Sequence, residues 1–183
     1  MSRLEARAVS SGMIRKKKHT LADLFLIKIQ SLYDIEYELI KALPKMASKA
    51  SDQKLKAGFR GHLDETRAQV ARLEQIFKDL GQKPKKNKVE AIRGMCKDTV
   101  WILKNITDTE ALDVALIAAT SHVEHYEMAS YNTAINWAED LGYVRAAKLL
   151  NDTLTEEIGA NEKLMTLATE KIDRRILPMS EGE

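Results

Sequence analysis

The chain is short of most of the features that mark specialised protein classes. It has one cysteine, Cys96, so it can form no intrachain disulfide. Cys96 also lacks CxxC or Cys/His company and reads as a buried or inert thiol rather than a nucleophile, and the single cysteine fits a reducing compartment, with the cytoplasm as the default. There are 3 prolines and 8 glycines in 183 residues, so the chain is neither loop-rich nor fibrous. Neither charge sign dominates. With 29 basic and 27 acidic residues the net charge is +2, and interspersed charges of this kind give no electrostatic case for a nucleic-acid partner. No run approaches the ~18–20 apolar residues that span a bilayer, so no membrane partner is expected. The N-terminus has no apolar centre of a secretory signal, and Gly-rich phosphate loops and Ser/His/Asp arrangements are missing.

What the chain does have is helix-forming sequence in long intervals rich in Ala, Leu, Lys and Glu. Thr20, with Asp23 three residues on, reads as a capping box opening a first helix. Phe25, Ile29, Leu32, Leu39 and Leu43 recur along it at the helical period, and Pro44 lies near its expected stop. A second helix is expected to begin after Ser51 and to stop at Gly81, with Leu55, Phe59, Val70, Leu73 and Phe77 on its stripe. Residues 82–88 (QKPKKNK) read as a solvated basic loop, and a shorter helix is expected over about 89–105 on Val89, Ile92, Cys96, Val100 and Leu103. Thr107-Asp108-Thr109-Glu110 opens a third long helix running to Gly142, and a fourth is expected from about Tyr143 to Ile176. The expected architecture is all-α: a four-helix bundle with a short extra helix in the long connection between the second and third long helices, which is the topology of ferritin-like bundles. Residues 1–19 read as a flexible basic N-terminal tail, 20–176 as the bundle, and 177–183 as a C-terminal tail.

Six polar residues lie on or beside these apolar stripes: Glu36, His62, Glu65, Glu124, Glu127 and Glu157. An isolated interior carboxylate costs several kcal/mol unless it is neutralised, paired or metal-bound. Counting along the helices brings the six toward one level, since Glu127 and Glu157 each lie fifteen residues from Gly142. Glu36 and the His62/Glu65 pair lie at comparable distances from the turn near Pro44. Residues three apart share a helix face, so His62 with Glu65, and Glu124 with Glu127, can each present two ligands to one centre. Oxygen-rich surroundings with an imidazole suit two iron or manganese ions rather than structural zinc. The familiar bundle solution takes a Glu-x-x-His pair from each of two helices. Here the pair in the second helix is reversed, and the fourth helix has no histidine, although His122 or His125 could supply one from the third. Helical phase selects Glu157 over Glu156. Tyr33, Tyr37 and Tyr126 near this layer read as packing and hydrogen-bonding residues.

At these residues the chain resembles the YciE/YciF family of bacterial ferritin-like proteins, over about residues 20–172. The resemblance rests on Leu21-Ala22-Asp23-Leu24-Phe25, Ala42-Leu43-Pro44-Lys45-Met46, His62-Leu63-Asp64-Glu65-Thr66 and Ala115-Leu116-Ile117-Ala118-Ala119. It continues in Ala146-Ala147-Lys148-Leu149-Leu150 and Thr153-Leu154-Thr155-Glu156-Glu157, and its most specific block is Val123-Glu124-His125-Tyr126-Glu127. It implies a ferritin-like bundle, a homodimer, a stress-associated role, and a dinuclear metal site on the six residues named above. Asn161 stands where the family pattern has an acid, and Val89 to Met95 depart from its usual Cys-Glu-Ala-Met-Glu-Gly segment.

Three functions follow as expectations. In the first, two ions bridged by Glu65 and Glu157, with Glu36, His62, Glu124 and Glu127 as terminal ligands, react with O2 or H2O2. In the second, a non-enzymatic helical stress protein acts through dimerisation or partner binding and its metal site is vestigial. In the third and weakest, a large shell stores iron. No catalytic side chain beyond the metal ligands is assigned.

Overall fold

The computed structural model describes residues 19–169; the expected tails, and the stretch from 170 to Ile176 expected to continue the last helix, lie outside the described residues. Five helices and no strand are present among them: α1 Leu21–Lys49, α2 Gln53–Asp79, α3 Glu90–Asn105, α4 Thr109–Asp140 and α5 Val144–Leu167.

Each boundary has a local cause. Thr20 accepts from the Asp23 amide while Asp23 accepts from the Thr20 amide, the reciprocal capping box. Pro44 lies near the end of α1 but five residues short of it. It lies inside the helix, which runs on to Lys49; its missing N–H leaves the Ile40 carbonyl without the usual intrahelical partner. Asp52, not Ser51, caps α2, accepting from the amides of Lys54 and Leu55. Likewise Asp108 rather than Thr107 caps α4, through the Ala111 amide. Gly81 and Gly142 close α2 and α4 with φ of 64° and 72°, left-handed values that glycine adopts without a Cβ penalty.

α1, α2, α5 and α4 pack in that order around a ring, and α3 lies across the outside of α1 and α4. The short turns after α1 and α4 make α1/α2 and α4/α5 antiparallel. Pairs such as Glu65–Lys163 and Asp79–Arg145 show α2 antiparallel to α5, and α2 and α4 therefore stand diagonally and parallel, as one long crossover requires. The core runs from Phe25, Ile29 and Leu32 through Leu55, Phe59, Leu73 and Phe77 to Leu116, Tyr131 and Leu150.

Two buried acids lock the connections. Asp113 of α4 accepts from the Ser51 amide and hydroxyl and from the Asp52 amide, tying the α1–α2 turn to the start of α4. Asp34 of α1 accepts from the Val89 amide and from both terminal nitrogens of Arg93, which seats α3. The basic loop before α3 is exposed yet not wholly free in solvent: Asn87 bonds to Gln30 and Ser31, and the Lys86 ammonium sits 3.6 Å from the Tyr37 ring centroid. Val100 and Trp101, by contrast, point outward from α3.

Candidate metal centre

Glu36 on α1, Glu124 and Glu127 on α4, and Glu157 on α5 have no solvent exposure, and His62 on α2 has 7%. Each takes a place on its helix's inward stripe that an aliphatic residue would otherwise fill. His62, Glu124, Glu127 and Glu157 each offer one ligand atom, and these four atoms lie within 4.8 Å of one another. His62 Nε2 stands 3.3 Å from Glu124 Oε1. Glu36 borders this group, close enough to act electrostatically on Glu124 and Glu127.

Glu65 is placed differently. Its carboxylate is 36% exposed at the bundle rim, where Oε2 lies 3.5 Å from His62 Nδ1 and Oε1 lies 3.9 Å from Lys163 Nζ. The structure does not bring it into the four-residue cluster. His122 and His125 are exposed; His125 Nδ1 lies 2.7 Å from the Ser121 carbonyl of its own helix, so neither supplies a second interior imidazole. Asn161 accepts from the Ser121 hydroxyl and holds no cluster residue. Glu156 is part-exposed and engaged by Arg72 through both terminal nitrogens.

Two neighbours of the cluster are not among the six expected site residues. Tyr131, fully buried, donates its hydroxyl to Glu36 Oε1. Gln69, also fully buried, donates its amide to Glu157 Oε1. The signal for both was helical phase: Tyr131 lies four residues past Glu127, and Gln69 four past Glu65. The tyrosines singled out from the sequence do other work. Tyr33 donates to Glu74, with the Tyr37 hydroxyl beside it, on the outer side of α1 and α2.

Burial is the main influence on the acids. It pushes the Glu36 and Glu127 carboxyls well above the usual range, reinforced by the Glu157 charge. Burial and then the facing Glu157 carboxyl push Glu124 up to about 10. Glu157 is raised by burial despite relief from its neighbours, and burial likewise raises the Tyr131 hydroxyl. Glu65 goes the other way: contact with His62 holds it below the usual range, with help from Lys163. Four like groups crowded in one dry space cannot all ionise without a compensating cation.

The donor set fits such a cation. Among the described residues, both oxygens of Glu124 and of Glu127 meet no hydrogen-bond donor, and neither does Glu36 Oε2 or Glu157 Oε2. Interior lone pairs left unmatched this way are rare and costly. Carboxylates plus one imidazole are the donors of iron and manganese sites rather than structural zinc sites.

Comparison with known proteins extends this picture. Residues 20–177 match the family described as "Domain of unknown function (DUF892)". The chain is 38% identical to Protein YciF of Escherichia coli strain K12 over 157 residues, covering 85% of this chain and 95% of that protein. The crystal structure of the E. coli stress protein YciF superposes with a TM-score of 0.82, covering 86% of this chain and 99% of that one. YcfI from Rhodopseudomonas palustris is 41% identical with a TM-score of 0.80, covering 83% and 97%. Ferritin-like diiron-carboxylate proteins from Bacillus anthracis share the fold, at TM-score 0.61 and 19% identity, covering 82% and 99%.

Proposed function

This chain belongs to the DUF892 family, and from that premise we propose that it is a ferritin-like stress-response protein whose interior binds two metal ions, iron or manganese, for reaction with O2 or hydrogen peroxide. The observation that carries the reading is the group of four interior acids and one histidine with unmatched lone pairs. Stress response comes from the description of YciF, the relative that covers most of the chain. A homodimer in the cytoplasm is part of the same proposal. The single cysteine supports the compartment.

His62, Glu124, Glu127 and Glu157 would hold the metal, together with Glu36, which borders them. When bound, the ions supply the electrons that reduce the oxidant. The remaining work falls to the protein. Gln69 and Tyr131 fix the orientation of Glu157 and Glu36 through one oxygen each, leaving the other oxygen free. The surrounding apolar residues exclude water, which strengthens each carboxylate's hold on a cation. Glu36, Glu124, Glu127 and Glu157 release their protons as the cations take their place.

The test is metal analysis of the purified protein and of protein loaded anaerobically with Fe(II) or Mn(II). About two ions per chain are expected; well under one ion per chain after loading would sink the reading. Size-exclusion chromatography of the same samples separates a dimer from an iron-storing shell.

One observation favours the non-enzymatic alternative. Tyr131 and Gln69 already give Glu36 and Glu157 a hydrogen-bond donor without any metal. That reading expects Glu127→Gln and Glu157→Gln to leave cellular stress survival intact, whereas the metal-site reading expects survival to be lost with folding retained.

A further inference from the structure

A cavity of about 690 Å³ opens between the first half of α2 and the second half of α5, and His62 and Glu65 line it. Its width has a simple origin in small residues on the two facing helices. Gly58 and Gly61 on α2 and Gly159 on α5 border it, and a Cβ placed at any of the three would meet nothing within 4 Å among the described residues. Leu55, Phe59 and Leu164 form apolar wall. A hydrated divalent cation has no reason to enter such a groove unless an anion draws it in.

Glu65 and the exposed Glu162 are the carboxylates that line it, and of the two it is Glu65 that touches His62. From the solvent inward, Lys163 Nζ lies 3.9 Å from Glu65 Oε1, Glu65 Oε2 lies 3.5 Å from His62 Nδ1, and His62 Nε2 lies 3.3 Å from Glu124 Oε1. Side-chain exposure falls along the same series, from 77% at Lys163 and 36% at Glu65 to 8% at His62 and none at Glu124. The series ends at the ligand atoms that lie within 4.8 Å of one another. Glu65 is therefore the outermost carboxylate on an unbroken line of oxygen and nitrogen ligands, each within reach of the next.

We infer that this groove is the port through which divalent cations reach the interior site, with Glu65 as the capturing carboxylate and Lys163 as the charge that an incoming cation must displace. The inference rests on the metal-binding reading proposed above and adds to it a route and a role for Glu65 distinct from a resident ligand. The carboxylate takes the cation at the rim while most of its water remains, and His62 and then Glu124 replace that water stepwise. No single step then demands full dehydration between apolar walls. The Lys163 ammonium holds Glu65 outward and opposes approach of like charge until it is displaced.

The experiment is stopped-flow uptake of Co(II), followed by its absorption, with apo full-length protein. Glu65→Gln is expected to slow uptake about tenfold, the scale of electrostatic focusing on association rates, while leaving the number of ions bound at saturation as in wild type. Glu65→Asp should recover part of the rate, and Lys163→Gln should bind faster than wild type. Gly159→Leu fills the groove with a better helix former, so uptake should slow with no loss of thermal stability. Uptake by Glu65→Gln at the wild-type rate would overturn the port, and so would fewer ions bound at saturation, since Glu65 would then be a resident ligand. Wild-type protein that takes up no Co(II) would overturn the metal site itself, and the port with it.

Discussion

His62 on α2 meets Glu124 on α4 across the centre of the bundle, Nε2 to Oε1 at 3.3 Å. These two helices stand diagonally, so the contact passes through the core rather than along a shared flank. It joins the half of the bundle that carries the groove between α2 and α5 to the half that carries most of the interior acids. Consequences for stability and binding follow from this arrangement.

Glu124 and Glu127 each have two oxygens that meet no donor among the described residues, but Glu124 has the His62 ring 3.3 Å away, so Glu127 is the more costly of the two. Replacing it with Leu removes a buried polar group and fills the space with hydrocarbon. Urea unfolding of metal-free Glu127→Leu should show a protein more stable than wild type by about 1–3 kcal/mol, and the variant should lose metal binding. A metal-free variant less stable than wild type would mean that the carboxyl has an interior partner after all.

The stability of the metal-free protein should fall as pH rises. Glu36, Glu124, Glu127 and Glu157 are all raised above the ordinary 4.5, Glu124 to about 10. The folded chain thus holds protons that the unfolded chain has released. Their contribution is full below about 4.5 and is lost progressively as pH rises toward about 10. Glu65 is lowered and acts in the opposite sense, contributing above about 4.5 and losing its effect as pH falls through its depressed value. Urea midpoints measured from about pH 5 to about pH 9 should decline steadily in the metal-free protein. A midpoint that climbs over that range would contradict the assignment of these acids as interior protonated groups.

Metal loading should release protons in the same pH range, because each cation replaces carboxyl protons. Adding Mn(II) to weakly buffered metal-free protein at neutral pH should acidify the solution in proportion to the ions bound. It should also raise the melting temperature, an effect that EDTA reverses. Binding without proton release would place the metal on groups already ionised at the surface.

Asp113 is expected to matter for folding rather than chemistry. Its carboxylate collects three hydrogen bonds from Ser51 and Asp52, each between 2.5 and 2.8 Å. Asp113→Ala should cost about 3 kcal/mol, read as a lowered urea midpoint, with metal stoichiometry unchanged in the folded protein. A loss near zero would show that water replaces the carboxylate.

The helices were legible because apolar residues recur at the helical period and because Thr20, Gly81 and Gly142 punctuate them. Their exact ends were less so. Pro44 was a plausible stop, yet α1 carries it and continues, since Met46 and Ala47 are buried beyond it. Ser51 and Thr107 looked like caps, but in each case the aspartate that follows takes the cap position. For Ser51 the reason is tertiary: its amide and hydroxyl are drawn to Asp113 on another helix.

By itself the sequence determined that the chain is helical, that its helices are long enough for a bundle, and that Glu36, His62, Glu124, Glu127 and Glu157 lie on inward-facing stripes. Helical phase settles such questions because a residue's direction follows from its position along its own helix. Phase does not settle how neighbouring helices are rotated and shifted against one another. Glu65 lies three residues past His62, about 60° around the helix, and only the placement of α5 decides that its carboxylate meets Lys163 at the rim instead of the interior group. The donors to Glu36 and Glu157 come from α4 and α2, across gaps that no single-helix pattern describes. Packing between helices turned a set of inward acids into a site with a centre, supporting partners and one open side.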